Sequence, residues 1–481
     1  MKIITPVDGL WNELCEVVRA FGYATAFVRE GEDGCTLVHD ARADGDGVVH
    51  TAVLSRPDGS EVRAEARQRA VGQGAVEQKR LYKRAAKKAV YELMRGVCGR
   101  SLPWGALTGI RPVKLARDLA DQVGERAAYD TLRNYYDVSP EKARLALDIA
   151  SVQRPLMAQR DKLDVYIGIP FCRTRCLYCS FAAVALDTKH GKLAQGYADW
   201  VIREMRASAP DPARVRAVYV GGGTPTALPV GELAKILQAA RDLYGDAPEF
   251  TVEAGRPDGL DADMLRMLHD KGVSRVSINP QTFSDATLAR IGRAHRAQDI
   301  LRAFELARSV GFTCINMDLI AGLPGETPED MARSLREVER LAPENLTVHT
   351  LAVKRGSRLH EFPDRFPLPS GEDVSEMVRM GFAAAARMGM APYYLYRQKY
   401  MAGNLENVGY ALPGAECLYN IDIMEETHSI LAYGAGAISK KLEPARALIT
   451  RQANPRDIPL YGERVNALAQ EKRALFAEVM A

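Results

Sequence analysis

The chain has 481 residues, 47% of them hydrophobic, and 64 Lys and Arg against 61 Asp and Glu leave a formal net charge of +3. That length supports two or three domains of ordinary size, and the near-neutral balance excludes nucleic-acid binding driven by overall charge. The eight cysteines are too sparse for a disulfide scaffold, and neither a signal-peptide stretch nor an apolar run of membrane-spanning length occurs, so a cytoplasmic protein with reduced thiols and no membrane association is expected.

Residues 1–155 are expected to form an N-terminal accessory domain of mixed α+β character. Turn signals such as GEDG (31–34) and DGDG (44–47) break up short apolar stretches. The segment 76–97, VEQKRLYKRAAKKAVYELMRGV, reads as a helix. Leu81, Ala85, Val90, Leu93 and Met94 fall toward one side. Lys79, Arg80, Lys83, Arg84, Lys87 and Lys88 form a solvated basic face; an anion or nucleic-acid surface is the alternative, although nucleic acid is not the expected partner. PWGALTGIRPVKL (103–115) reads as a turn-rich link into more helix.

From 156 to 365 short β-rich runs alternate with helical ones. The strand candidates are VYIGIP (165–170), AVYVGG (217–222), FTVEAG (250–255), RVSINP (275–280), INMDLIAG (315–322) and LTVHTL (346–351). Helical patterns lie near 193–207, 230–244, 261–271, 297–310 and 327–341. Such alternation gives a parallel sheet with crossover helices. Six strands make an incomplete (β/α)6 barrel, α/β in class, with its active site at the C-terminal strand ends. Residues 366–481 are expected to form a C-terminal domain. It opens on a Met- and Ala-rich helix (372–389) and continues through YYLYRQKYMAGN (393–404) and LAYGAGAISKK (431–441).

Directly after the first strand comes FCRTRCLYCSF (171–181), which carries Cys172, Cys176 and Cys179. A structural zinc site closes with four protein ligands, and a thioredoxin-type redox pair needs only two cysteines. Short loops of thiolates hold iron–sulfur clusters. A cubane held by three leaves one iron open to a small molecule bearing an amine and a carboxylate. After the second strand, VGGGTPTAL (220–228) lets backbone approach a ligand with no Cβ in the way, and its N–H groups can bind a carboxylate or cap the next helix.

Together these motifs resemble the radical S-adenosylmethionine superfamily, and GGGTPT narrows the resemblance to the oxygen-independent coproporphyrinogen III dehydrogenase group, which also contains heme chaperones. The resemblance implies a [4Fe–4S] cluster on Cys172, Cys176 and Cys179, with S-adenosylmethionine bound to the open iron. It implies that Tyr178 lies near the adenine, that Gly222, Gly223 and Thr224 belong to the glycine motif for the methionine amino group, and that Glu253 binds the ribose. Tyr166, Gln281, Arg293, Asp318 and Ala352 match further cofactor positions. VKRGSRL (353–359), NVGYALPGAECLYNI (407–421) and GAGAISK (434–440) resemble a sub-branch with a long N-terminal extension.

The implied activity is oxidative decarboxylation of coproporphyrinogen III to protoporphyrinogen IX in heme and porphyrin biosynthesis, an oxidoreductase supplied by a donor such as flavodoxin or ferredoxin. Its tetrapyrrole carboxylates need cations: Arg256 and Arg355 first, then Lys354, Arg358, Arg397 and Lys399. Two departures matter. Phe181 stands where the coproporphyrinogen enzymes carry a fourth cysteine, as in the heme chaperones, and EAGRP replaces an EANP-like sequence, bringing Arg256 near the site. A heme chaperone using His295, His349 or Cys417 is the first alternative; a nucleic-acid-modifying radical enzyme is the second.

Overall fold

In the computed structural model, all residues are described except 8, 24–33, 46, 70–73, 110, 160, 246, 400, 444–447 and 481. The turn expected at GEDG therefore lies, but for Gly34, outside the described residues, as does residue 46 of DGDG. The chain divides into two compact units: residues 1–148 with 403–405, and residues 149–402 with 406–481.

The first unit is α+β. Strands β1 (Lys2–Ile4), β2 (Thr36–Asp44), β3 (Gly47–Ser55) and β4 (Glu61–Arg69) form one sheet in that order. Helices α1 (Trp11–Ala20) and α2 (Ala75–Cys98) belong to the same unit. Most of the apolar side of α2 behaves as its periodicity predicts: Val90, Leu93 and Met94 are buried beside Leu14, Val18 and Leu37, Ala85 is also buried, and Leu81 is half-buried. Much of its basic face is paired off within the unit. Lys83 and Lys87 both reach Glu13, at 2.5 and 3.5 Å, and Lys88 reaches Glu92 at 3.3 Å. Three further helices follow, α3 (Pro112–Val123), α4 (Glu125–Asp130) and α5 (Pro140–Leu156).

The second unit is built on one sheet of eleven strands. The six expected parallel strands are all present: β5 (Leu163–Ile169), β8 (Val215–Gly222), β9 (Glu249–Gly255), β10 (Arg275–Ile278), β11 (Ile315–Ala321) and β12 (Asn345–Thr350). Neighbours in this series pair in parallel. Between β5 and β8, two short strands, β6 (Phe171–Cys172) and β7 (Val184–Ala185), pair with each other. The crossovers are α6 (Tyr197–Ala207), α7 (Val230–Tyr244), α8 (Ala262–Asp270), α9 (Asp285–Arg290) with α10 (Ala297–Val310), and α11 (Pro328–Leu341). Burial along β5 is almost continuous, as both faces of a helix-covered parallel sheet require.

The division expected at residue 365 does not appear as a break. After α12 (Arg358–Glu361) and α13 (Gly371–Arg387), strands β13 (Ala391–Tyr396) and β14 (Asn407–Ala411) extend the same sheet antiparallel beyond β12. Helix α14 (Leu418–Glu425) then leads to β15 (Ser429–Tyr433), which pairs in parallel with β5 and adds a seventh member to the parallel run. Strands β16 (Ile438–Glu443) and β17 (Leu448–Ala453) finish that edge. Helix α15 (Ile458–Leu475) is tied to α6 through buried Glu204, which accepts from Tyr461 at 2.7 Å and from Lys472. Residues 366–481 thus share sheet and core with the barrel strands.

Candidate active site

The C-terminal ends of the parallel strands open onto a cavity of about 370 Å³. All three clustered cysteines line it. Cys172 ends β6; Cys176 and Cys179 belong to a tight loop in which the Cys179 N–H donates to the Cys176 carbonyl at 3.2 Å. This loop is stitched to its surroundings. Leu177 N–H donates to Ile291 O at 2.9 Å, and Leu359 N–H donates to Leu177 O at 3.0 Å. Among the described residues, no three His, Cys, Asp or Glu side chains close on one point as ligands of a single ion would. Short loops of thiolates such as this one hold iron–sulfur clusters.

The glycine motif lies directly against this loop. Gly223 N–H donates to Ile169 O at 2.8 Å and Thr224 N–H to Phe171 O at 2.7 Å. A Cβ at Gly223 would fall 2.5 Å from the Phe171 carbonyl oxygen and 3.0 Å from Cys172 Sγ, so only glycine allows this approach. Thr224 Oγ1 is 3.5 Å from Cys172 Sγ. Burial pushes the Cys172 thiol up to about 11, with the Thr224 contact pulling against it. A bound metal would reverse that preference by binding the thiolate.

Glu253, two residues before the end of β9, lines the cavity and accepts from Tyr219 at 2.6 Å. Burial raises its carboxyl to about 7, against the lowering effect of that hydrogen bond. On β11, burial pushes Asp318 up, but its interactions with His349, 3.4 Å away, and with Asn316 and Thr347 together hold it below the usual carboxylate range. Gln281 adopts φ 68°, a region side-chain-bearing residues seldom occupy, and its buried Oε1 has no hydrogen-bond partner among the described residues. Strain of this kind collects at ligand sites. Arg293 is buried, donates to Asn279 O at 2.6 Å and lies against Tyr178 and Cys176.

The expected site residues sort into three groups. Tyr178, Gly223, Thr224, Glu253, Gln281, Arg293, Asp318, Ala352 and Arg256 line the main cavity with the cysteines. Tyr166 and Gly222 instead line an adjoining space of about 250 Å³ that shares Phe181, Ala183, Gly223 and Glu253 with it. Arg355 is exposed and lines neither. Arg256 reaches the cavity, but its guanidinium is engaged: Nε and Nη2 hold Asp258 at 3.0 and 2.8 Å, and Nη1 donates to Thr174 at 2.7 Å. Of the other cations, Lys354 lines the cavity, half-buried, and burial lowers its ammonium. His349 and Cys417 line it as well; His295 is buried outside it.

Sequence reasoning left out the cavity's aromatic wall, Tyr219, Tyr393, Tyr394 and Tyr396. Tyr219 also joins a stack with Tyr166 and Tyr419, ring centroids 6.3 and 4.3 Å apart. The alternation in AVYVGG carried a signal, since Tyr219 shares its strand face with Gly221. Phe181, at the position of the missing fourth cysteine, lies on the wall of both spaces and is 62% exposed.

The family profile of the radical SAM superfamily matches residues 166–338, the stretch that carries the cysteine loop, the glycine motif and the acids. The chain is 38% identical over 398 residues to the oxygen-independent coproporphyrinogen-III oxidase-like protein HemZ of Bacillus subtilis, covering 79% of this chain and 78% of that one. The heme chaperone HemW of the same organism is 31% identical over 284 residues, 57% of this chain and 70% of that one. The solved coproporphyrinogen III oxidase HemN of Escherichia coli superposes with a TM-score of 0.49 at 23% identity, covering 66% of this chain and 73% of that one. The chain belongs to the oxygen-independent coproporphyrinogen-III oxidase-like family of radical SAM proteins. That superfamily uses a [4Fe–4S] cluster and S-adenosylmethionine. The three thiols, the glycine approach and the buried acid fit both groups.

Proposed function

We propose that this protein is a radical S-adenosylmethionine oxidoreductase that decarboxylates the propionate side chains of coproporphyrinogen III, giving the vinyl groups of protoporphyrinogen IX. The observation that carries the reading is the meeting of Cys172, Cys176, Cys179, Gly223, Thr224 and Glu253 on one cavity at the strand ends. The cysteines hold the cluster. Backbone at Gly222, Gly223 and Thr224 receives the methionine end of S-adenosylmethionine, Glu253 takes the ribose hydroxyls, and Tyr178 borders the adenine. Gln281, Arg293, Asp318 and Ala352 complete the cofactor wall, with Tyr166 in the adjoining space. When bound, the cluster and S-adenosylmethionine supply one-electron reduction and a carbon radical able to take a hydrogen atom from the substrate. Each of the two propionates that react loses a hydrogen atom from its β-carbon, carbon dioxide and one electron to a one-electron acceptor, leaving a vinyl group; the other two propionates are retained.

The chain's own contribution is to bind, orient and exclude water. A cavity of about 370 Å³ is near the lower end for a drug-sized ligand, so the tetrapyrrole sits across the mouth. There Phe181 offers an aromatic face and Lys354 a cation for a propionate. A flavodoxin or ferredoxin supplies the electron. Eight free cysteines support a cytoplasmic setting, and among the described residues no helix is long and apolar enough to cross a membrane.

Phe181 favours a second reading, a heme-binding chaperone, in which His349 or Cys417 on the cavity wall ligates iron. Anaerobic incubation of the reconstituted protein with reductant, S-adenosylmethionine and coproporphyrinogen III separates the two. A product lighter by two carboxyl groups supports the enzyme. Unchanged porphyrinogen together with stoichiometric heme uptake replaces it with the chaperone.

A further inference from the structure

Thr174 ties the cysteine loop to two neighbouring strand-end loops. Thr174 lies midway between Cys172 and Cys176, and its hydroxyl works in both directions: it accepts from Arg256 Nη1 at 2.7 Å and donates to Gly292 O at 3.2 Å. Arg256 is 3% exposed. Gly255, two residues after Glu253, makes the connection possible, since its φ of 67° turns the chain just before Arg256, whose side chain reaches the cysteine loop. The fork of Arg256 closes on both oxygens of Asp258, and His295, fully buried, faces Asp258 at 3.6 Å. His295 comes from the same loop as Arg293, which lies against Cys176 and Tyr178. Two strand-end loops therefore grip the middle of the cysteine loop at the cavity wall.

We infer that Arg256 is a positioning residue for the iron–sulfur cluster: with Asp258 and His295 it fixes the span between Cys172 and Cys176 rather than binding a substrate carboxylate. Three observations carry this. All three Arg256 nitrogens are already engaged inside the protein. A bidentate fork is the most directional grip an arginine has. The side chain it holds on the cysteine loop is the one between two thiols. Residues that orient metal ligands without touching the metal typically change metal affinity by about 10- to 100-fold when removed. The inference rests on the cluster reading of the three cysteines.

The test compares Arg256→Met and Arg256→Lys with Arg216→Met in the full-length protein. Arg216 is also a buried arginine on an aspartate, 2.9 Å from Asp422, but it sits at the opposite end of the strands. It therefore reports the general cost of losing such a pair. The readouts are iron per chain after anaerobic reconstitution, the rate of iron loss to a chelator, and the reduced cluster's electron paramagnetic resonance spectrum and midpoint potential. Iron loss about tenfold faster in Arg256→Met than in Arg216→Met, with a shifted spectrum or potential and partial rescue by Arg256→Lys, is the expected result. Wild-type iron retention and potential in Arg256→Met overturn the inference. So does equal iron loss in Arg216→Met. Wild-type protein that takes up no cluster overturns the reading of the cysteines instead, and the two failures are thus separable. Heme or porphyrin affinity that falls in Arg256→Met while the cluster is unchanged returns Arg256 to the substrate.

Discussion

Glu253 gives the sharpest handle on the cofactor site, because its charge and its ligand are linked. Its carboxyl sits at about 7 in the free protein, raised by burial. A ribose diol donates two hydrogen bonds, and only the carboxylate accepts both. Binding therefore selects the ionised form. Below pH 7 the ionised fraction falls about tenfold per pH unit, and affinity falls with it by the same factor, about 1.4 kcal/mol per unit. Above pH 7 affinity is flat. The suitable probe is 5′-deoxyadenosine, which carries the ribose and adenine but not the titrating amino acid end, measured by calorimetry from pH 5.5 to 8.5. Glu253→Gln removes the slope and weakens binding at pH 8 by about tenfold to hundredfold, the loss expected for hydrogen bonds to a charged group. Tyr219→Phe removes the 2.6 Å donor that holds the carboxyl down, so the break moves to higher pH. An unchanged slope in Glu253→Gln, or affinity that rises on acidification, refutes the assignment of the ribose to Glu253.

Further outcomes follow from single contacts. Gly223→Ala introduces a Cβ 3.0 Å from Cys172 Sγ and 2.5 Å from the Phe171 carbonyl oxygen, so iron content after reconstitution is expected to fall by at least about half, and the melting temperature before reconstitution falls as well. Lys354→Met removes the half-buried cavity cation. Porphyrin affinity by fluorescence quenching should weaken about tenfold or more, with 5′-deoxyadenosine affinity unchanged. Lys472→Met strands buried Glu204 among Tyr461, Asn454 and the Gly434 N–H. A loss of about 3–5 kcal/mol in denaturant stability is expected, with no direct effect on iron binding.

The parts of this site that could be read from the sequence were local in the chain. Cys172, Cys176 and Cys179 lie in one loop directly after a strand, and Gly223 and Glu253 each sit at the end of the next strand along. Period and punctuation place those strands, and parallel order then brings their ends together. What escaped depends on long-range pairing. Strand β15 is five residues long, follows far downstream, and becomes a barrel neighbour only by pairing with β5. Arg256 read as a free cation because its two carboxylate contacts and its hold on Thr174, 82 positions earlier, are matters of side-chain geometry. Arg355 read as a site residue because it is a cation just past a strand end, yet Lys354 lines the cavity and Arg355 meets solvent. Phe181 was legible as a departure; that it remains exposed on the cavity wall was not.

The measurement closest to the proposed chemistry uses coproporphyrinogen III carrying deuterium on the β-carbons of its propionates. The reconstituted protein is incubated anaerobically with reductant and S-adenosylmethionine, and the 5′-deoxyadenosine formed is weighed by mass spectrometry. The expected outcome is deuterium in 5′-deoxyadenosine, matched by vinyl product. Unlabelled 5′-deoxyadenosine with the porphyrinogen intact would contradict the proposed function while leaving the cofactor site standing.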